Sequence, residues 1–226
     1  MGLDSYLNRM PRYKNVTPNQ ISIMEYYFDL EVGKVNGSEY ASCTLEEWCG
    51  HDESELPNKE TIKYFKPFYI KRYSSWDTEK KYGHFGIKEQ IGYWRKANQI
   101  HSWFVNHVQD GEDDCDYHHE VTKEILEELL ETCKTVYNSC SMILGLVKNG
   151  ETFVDGEWKP NMEQGKVIID CSVAEDLLPT CSGFFFGNTD YNEYYVEDIK
   201  ETIDVVTKAL ETTDFDKEMI YYVSSW

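Results

Sequence analysis

The sequence predicts an α+β fold: a single domain over residues 1–226, with a mixed or antiparallel sheet packed against about three main amphipathic helices. Three observations carry this. Apolar residues recur at helical spacing in three stretches, and aromatic or β-branched runs bounded by turn residues lie between them. The two kinds of element are segregated rather than alternating as βαβ repeats. With 226 residues, of which 41% are hydrophobic, the chain can bury a core without disulfide staples and is too apolar for a disordered acidic tail.

Met1–Gln20 reads as irregular, punctuated by Pro11 and Pro18, and Ile21–Val32, rich in Tyr, Phe and Ile, reads as a strand. Thr44–Glu47 has capping-box spacing for a short helix through Cys49. Thr61–Tyr73 reads as an extended segment broken or held to an edge by Pro67. Glu89–Asp110 reads as one long helix, with Tyr93, Ala97, Ile100, His101, Phe104 and Val108 on a stripe. Thr122–Tyr137 is a second, with Ile125, Leu126, Leu129, Leu130, Cys133, Val136 and Tyr137 inward. Asn149-Gly150 and Asp155-Gly156 suggest a β-hairpin excursion over 149–170. Ser172–Glu175 is another capping box, for a helix stopped by Pro179, and Gly183–Gly187 reads as a buried strand. Asn192–Leu210 is the third long helix, with Tyr195, Ile199, Ile203, Val206 and Leu210 inward, and Met219–Trp226 a closing strand.

The formal charge is −19, from 22 Lys and Arg against 41 Asp and Glu. It is unevenly spread: −6 over residues 1–58, +6 over 59–96 and −19 over 97–226. Such acidity argues against direct nucleic-acid or anionic-membrane binding while leaving room for a local anion site in the basic block. The opening residues lack an apolar signal region, position 6 is Tyr where myristoylation needs Ser or Thr, and the longest apolar run, Met142–Val147, is far too short to span a membrane; a cytoplasmic protein is expected. Seven cysteines without a Cys-x-x-Cys pair suggest reduced thiols. Cys115, His118 and His119, with Cys49 and His51, lack regular zinc spacing, so no metal and no cofactor is expected.

Candidate chemistry concentrates in Gly92–Phe104. On a helix, Trp94, Asn98 and His101 share one wall, while Arg95 and Lys96 lie well away from it. Trp94 could stack a base, Arg95 or Lys96 meet a phosphate, and His101 act as acid, base or donor. The competing reading makes His101 a core imidazole bonded to a carboxylate or carbonyl. A second candidate is the segment around Gly183, Gly187 and Asn188, whose glycines admit close backbone approach; its competing reading is a tight turn and helix cap. A third is the acidic row Glu120, Glu124, Glu127, Glu128 and Glu131, a helix face roughly 16 Å long, suited to a basic partner or simply to water. No Walker loop, Gly-x-Gly-x-x-Gly, Gly-x-Ser-x-Gly or His-Glu-x-x-His occurs, and no catalytic residue is nominated.

Four blocks carry a resemblance: Met1–Leu7, Ile91–Val105 (IGYWRKANQIHSWFV), Val173–Tyr191 (VAEDLLPTCSGFFFGNTDY) and Tyr221–Trp226. Together they resemble a family of small uncharacterised proteins of phages and prophages of gut bacteria, continuously from about residue 90 onward and patchily before it. Ser5 stands where that family carries Met, and Cys181 where a polar residue is usual. The resemblance implies a phage or prophage origin and a cytoplasmic setting in the host cell, and brings no catalytic residues with it. The leading expectation is a non-catalytic binding protein that blocks or sequesters a host factor, as an anti-defence protein would. The alternative is a nucleotide sponge or nucleotide-directed enzyme using the Trp94–His101 segment on a small anionic ligand; a homo-oligomer is a third reading.

Overall fold

The computed structural model describes residues 2–36, 58–73, 79–81, 83–115, 117–183 and 186–226. The fold is α+β, as expected. Four strands, β1 (Asp4–Pro11), β4 (Glu89–Arg95), β5 (His119–Val121) and β8 (Glu218–Ser225), hydrogen-bond in the order β4-β1-β8-β5. Two antiparallel pairs stand apart from it: β2 (Ile70–Arg72) with β3 (His84–Gly86), and β6 (Met142–Val154) with β7 (Glu157–Ile168). The helices are α1 (Pro18–Asn36), α2 (Lys59–Phe65), α3 (Asn98–Val108), α4 (Lys123–Ser139), α5 (Ser172–Leu177) and α6 (Glu193–Thr212). The chain divides into two compact units: Met1–Tyr6, Gly92–Thr212 and Tyr222–Trp226 form the first, Leu7–Ile91 and Thr213–Tyr221 the second.

In the second unit, Ile21–Val32 is helical rather than extended. Ile21, Met24 and Phe28, all buried, sit three and four residues apart, so the spacing overrides the strand preference of their neighbours. They meet Met10, Phe65, Ile87, Met219 and Tyr221 in one core. The expected extended segment 61–73 is α2, capped by Asn58 accepting from the Glu60 and Thr61 amides, then a 3-10 turn at Lys66–Phe68 where Pro67 falls, and only then β2. Glu25 fastens the start of β4: its Oε1 accepts from the amides of Ile87 at 2.6 Å and Lys88 at 2.7 Å. The opening residues, expected irregular, contain β1; Leu3, Ser5 and Leu7 are buried alternately, and the polar Ser5 hides that period.

In the first unit the expected helix over 89–110 is a strand, a sharp bend and a shorter helix. Lys96 makes the bend, with φ +63, a left-handed conformation that nothing in a Lys side chain advertises. Helices α4 and α6 start close to where the sequence puts them. Thr122 caps α4 through the Ile125 amide, and Asn192 caps α6 through the amides of Tyr194 and Tyr195. Leu126, Leu129, Cys133 and Val136 of α4 are buried, as are Tyr195, Ile199 and Val206 of α6; Tyr137, expected inward, is 40% exposed. Helix α5 forms too, but its cap residue is Cys171, with the thiol on the Glu175 carboxylate at 3.1 Å and the Ser172 amide on Asp170, rather than a Ser172–Glu175 box. Of the expected strand over 183–187, Gly183, Phe186 and Gly187 belong to no strand, and residues 184–185 lie outside the described residues. The Thr44–Cys49 helix lies outside the described residues.

The hairpin is longer than 149–170 suggests, reaching back to Met142. Its turn is Asp155-Gly156, both residues at positive φ as a two-residue hairpin turn requires. Asn149-Gly150 instead makes a bulge between the Lys148–Met162 and Glu151–Pro160 pairs.

Candidate functional site

Trp94, expected on the helix with Asn98 and His101, belongs to strand β4, as does Arg95. Trp94 is 2% exposed and its indole N–H donates to Thr202 Oγ1 at 2.9 Å. Asn98, the first residue of α3, is a clasp. Its Oδ1 accepts from the Cys181 amide at 2.8 Å, and its Nδ2 donates to the carbonyls of Phe186 at 3.2 Å and Asn188 at 2.9 Å. These bonds use both donors and one acceptor site of the side chain in holding Cys181, Phe186 and Asn188.

His101 is buried at 1% exposure, one helical turn along. Its Nε2 meets Asp113 Oδ2 at 2.9 Å and its Nδ1 the Tyr222 hydroxyl at 2.7 Å. A carboxylate only accepts, so Nε2 carries the proton; in the neutral ring Nδ1 then accepts from Tyr222. The same hydroxyl lies 3.0 Å from Ser5 Oγ, and Trp226 Nε1 donates to Asp113 Oδ1 at 3.3 Å. This is the core-imidazole arrangement, with every ring nitrogen partnered. Burial pushes the Tyr222 phenol above its usual range. Elsewhere on α3, Gln99 donates to Asp198 Oδ2 at 2.9 Å, and burial raises the Asp198 carboxyl to about 7, against the lowering effect of that bond.

Arg95 and Lys96 are exposed. Gly187, at φ +94, comes close to Lys96: a Cβ there would meet Lys96 Cβ at 2.9 Å. Lys96, Gly187 and Asn188 therefore come together, although by helical geometry Lys96 points away from this group. Gly183 sits under the Phe186 ring. Glu124, Glu127, Glu128 and Glu131 form an exposed row on α4, over about 10 Å. Glu120, read as part of that helix face, lies on strand β5. Within the row, Lys123 pairs with Glu127 at 3.4 Å and His107 with Glu128 at 3.7 Å. Among the described residues no cluster of three His, Cys, Asp or Glu side chains is placed to hold a metal: Cys115 faces the Trp226 carbonyl and His119 the Asp114 carboxylate. No described helix is long and apolar enough to cross a membrane.

The sequence reading does not single out the apolar face of the β6–β7 hairpin. Leu144 is 82% exposed, Trp158 66%, Leu146 63%, Phe153 57% and Met162 51%. Alternation at 142, 144 and 146 is the available signal, masked by Ile143 and Val147 between them. No protein-family model, curated protein or solved structure matches the chain.

Proposed function

We propose that this chain is a non-catalytic binding protein of phage type, acting in the host cytoplasm, where it blocks or sequesters a host factor. The observation that carries the reading is the acidic row Glu124, Glu127, Glu128 and Glu131. It stands exposed on a rigid helix in a unit that holds 9 Lys and Arg against 25 Asp and Glu, a balance of −16. Such a row attracts a basic protein surface and repels nucleic acid. Glu124 is held below the usual carboxylate range by bonds at the helix start, so it stays ionised through the physiological range. The test is affinity capture from host lysate with the wild type and with a variant carrying Gln at all four positions. The expected result is one stoichiometric basic partner retained by the wild type and lost by the variant. Equal capture by both sinks the reading.

One observation favours a second reading, a small anionic ligand such as a nucleotide: the exposed Lys96 lies against the backbone of the exposed Gly187. Lys96→Ala should then abolish nucleotide binding measured by calorimetry, and a wild type that binds none ends that reading.

A further inference from the structure

We propose that the outward face of the β6–β7 hairpin is the interface of a symmetric dimer, in which the hairpins of two copies of this chain stack face to face. Paired residues of an antiparallel ladder share a face, and alternate residues return to it. On β7 that face carries Trp158, Pro160, Met162, Gln164 and Lys166; on β6 it carries Met142, Leu144, Leu146 and Lys148, their pairs or continuations. Beyond Lys148 a regular strand would turn Phe153 to the opposite side. The extra residue of the Asn149-Gly150 bulge restores the phase, so that Phe153 pairs with Trp158, ring centroids 5.2 Å apart, on the same apolar face.

The opposite face is packed around Val147 and Gly165, while Ile143 and Val154 on it remain exposed at 52% and 40%. Val147 is 2% exposed there, Val167 fills the space over Gly145, and Glu193 reaches the Lys166 amide. The opposite side is therefore partly packed within the chain, while the side carrying Leu144, Leu146 and Trp158 is bare except at Ile168, which pairs with Met142 and is 8% exposed. At roughly 150–250 Å² for a fully exposed large side chain, the exposed fractions of Met142, Leu144, Leu146, Phe153, Trp158 and Met162 amount to on the order of 700 Å². That exceeds the usual largest patch of a monomer, about 300–600 Å², and approaches the ~800 Å² per partner of a standard interface.

Charge selects a second copy as the occupant. Chains at −19 repel wherever acid faces acid, but residues 142–168 hold 3 Lys against 4 Asp and Glu, and the bare face itself carries Lys148 and Lys166 against Glu151. Two copies can approach here without acidic repulsion. An apolar sheet face of matching width and twist is what sheet-on-sheet packing at about 10 Å requires, and a copy of the hairpin supplies one by construction.

The test is sedimentation equilibrium of the full chain at about 50 µM, wild type against Leu144→Glu/Trp158→Glu. Both side chains are mostly exposed, so the substitutions leave no cavity; circular dichroism confirms the retained fold, and Leu144→Gln serves as a milder second variant. The wild type is expected at twice the 26.6 kDa chain mass, associating more tightly as salt screens the acidic surfaces. The double variant is expected at the single mass and Leu144→Gln about tenfold weaker. A wild type at the single mass, a double variant that dimerises as well as wild type, or a dimer that salt dissociates overturns the proposal.

Discussion

The surroundings of His101 and the β6–β7 hairpin invert each other. Around His101 the chain buries polar groups, among them Asn98, Gln99, His101, Ser5 and Thr202; on the hairpin it exposes Leu144, Trp158 and Phe153. The buried polar groups named in the site are bonded to one another or to backbone, so their chemistry is spent on fixing the fold. The exposed apolar groups have no such internal use. The residues whose types suggest catalysis are thus structural, and the residues whose types suggest core are the ones a partner can reach.

The comparison breaks if the buried network proves dispensable. His101→Ala leaves the Tyr222 hydroxyl and the Asp113 carboxylate without their partner, and should cost about 3–5 kcal/mol in urea unfolding. Asn98→Ala, which orphans the Cys181 amide and two carbonyls, belongs in the same range. A change under about 1 kcal/mol in either would show that the network does not hold the fold.

Asp198 sharpens the comparison through pH. Its carboxyl is raised from 3.8 to about 7 in the folded chain, so between those values the folded state holds a proton that the unfolded state has lost. Stability from this group is full below about pH 4 and falls as pH rises toward 7, by on the order of 3–4 kcal/mol. Asp198→Asn should remove that slope, raising stability at pH 8 and leaving it unchanged at pH 4. Parallel pH profiles for variant and wild type would refute the assignment.

The hairpin predictions are smaller. Gly156→Ala places a side chain at φ +87 and should cost about 1–2 kcal/mol, read as faster hydrogen exchange in β6 and β7 with the His101 network unaffected. Leu144→Gln should change the unfolding free energy by less than about 0.5 kcal/mol at low protein concentration, because the side chain already faces water. A larger loss would mean that Leu144 packs within its own chain.

Elements whose apolar stripe faces a polar one were legible in the sequence: α4 and α6, with caps at Thr122 and Asn192, lie within a residue or two of expectation. Where the period was real but the composition pulled the other way, as with Ile21, Met24 and Phe28 among Tyr26, Tyr27 and Ile23, composition misled. The segment 89–110 failed for a different reason. Its helical stripe is genuine from Asn98 onward, but Tyr93 and Ala97 continue the phase by coincidence across the left-handed bend at Lys96. Of the candidate site, the residue types were legible and the partners were not. Cys181, Phe186 and Asn188 lie 83–90 positions from Asn98, and Tyr222 lies 121 from His101.

The placing of β1 between β4 and β8 bears on how the chain is made. Ser5 meets Tyr222 across 217 positions and Arg9 meets Thr213 across 204. At synthesis rates of about 5–20 residues per second, β1 waits on the order of 10–40 s for the strand that completes its sheet. Until then one of its edges stays open to other chains. Native pairing of β1 with β8 therefore waits until synthesis has passed β8, at the slow pace of long-range pairing, and a chaperone that shields β1 in that interval should raise the yield of folded protein.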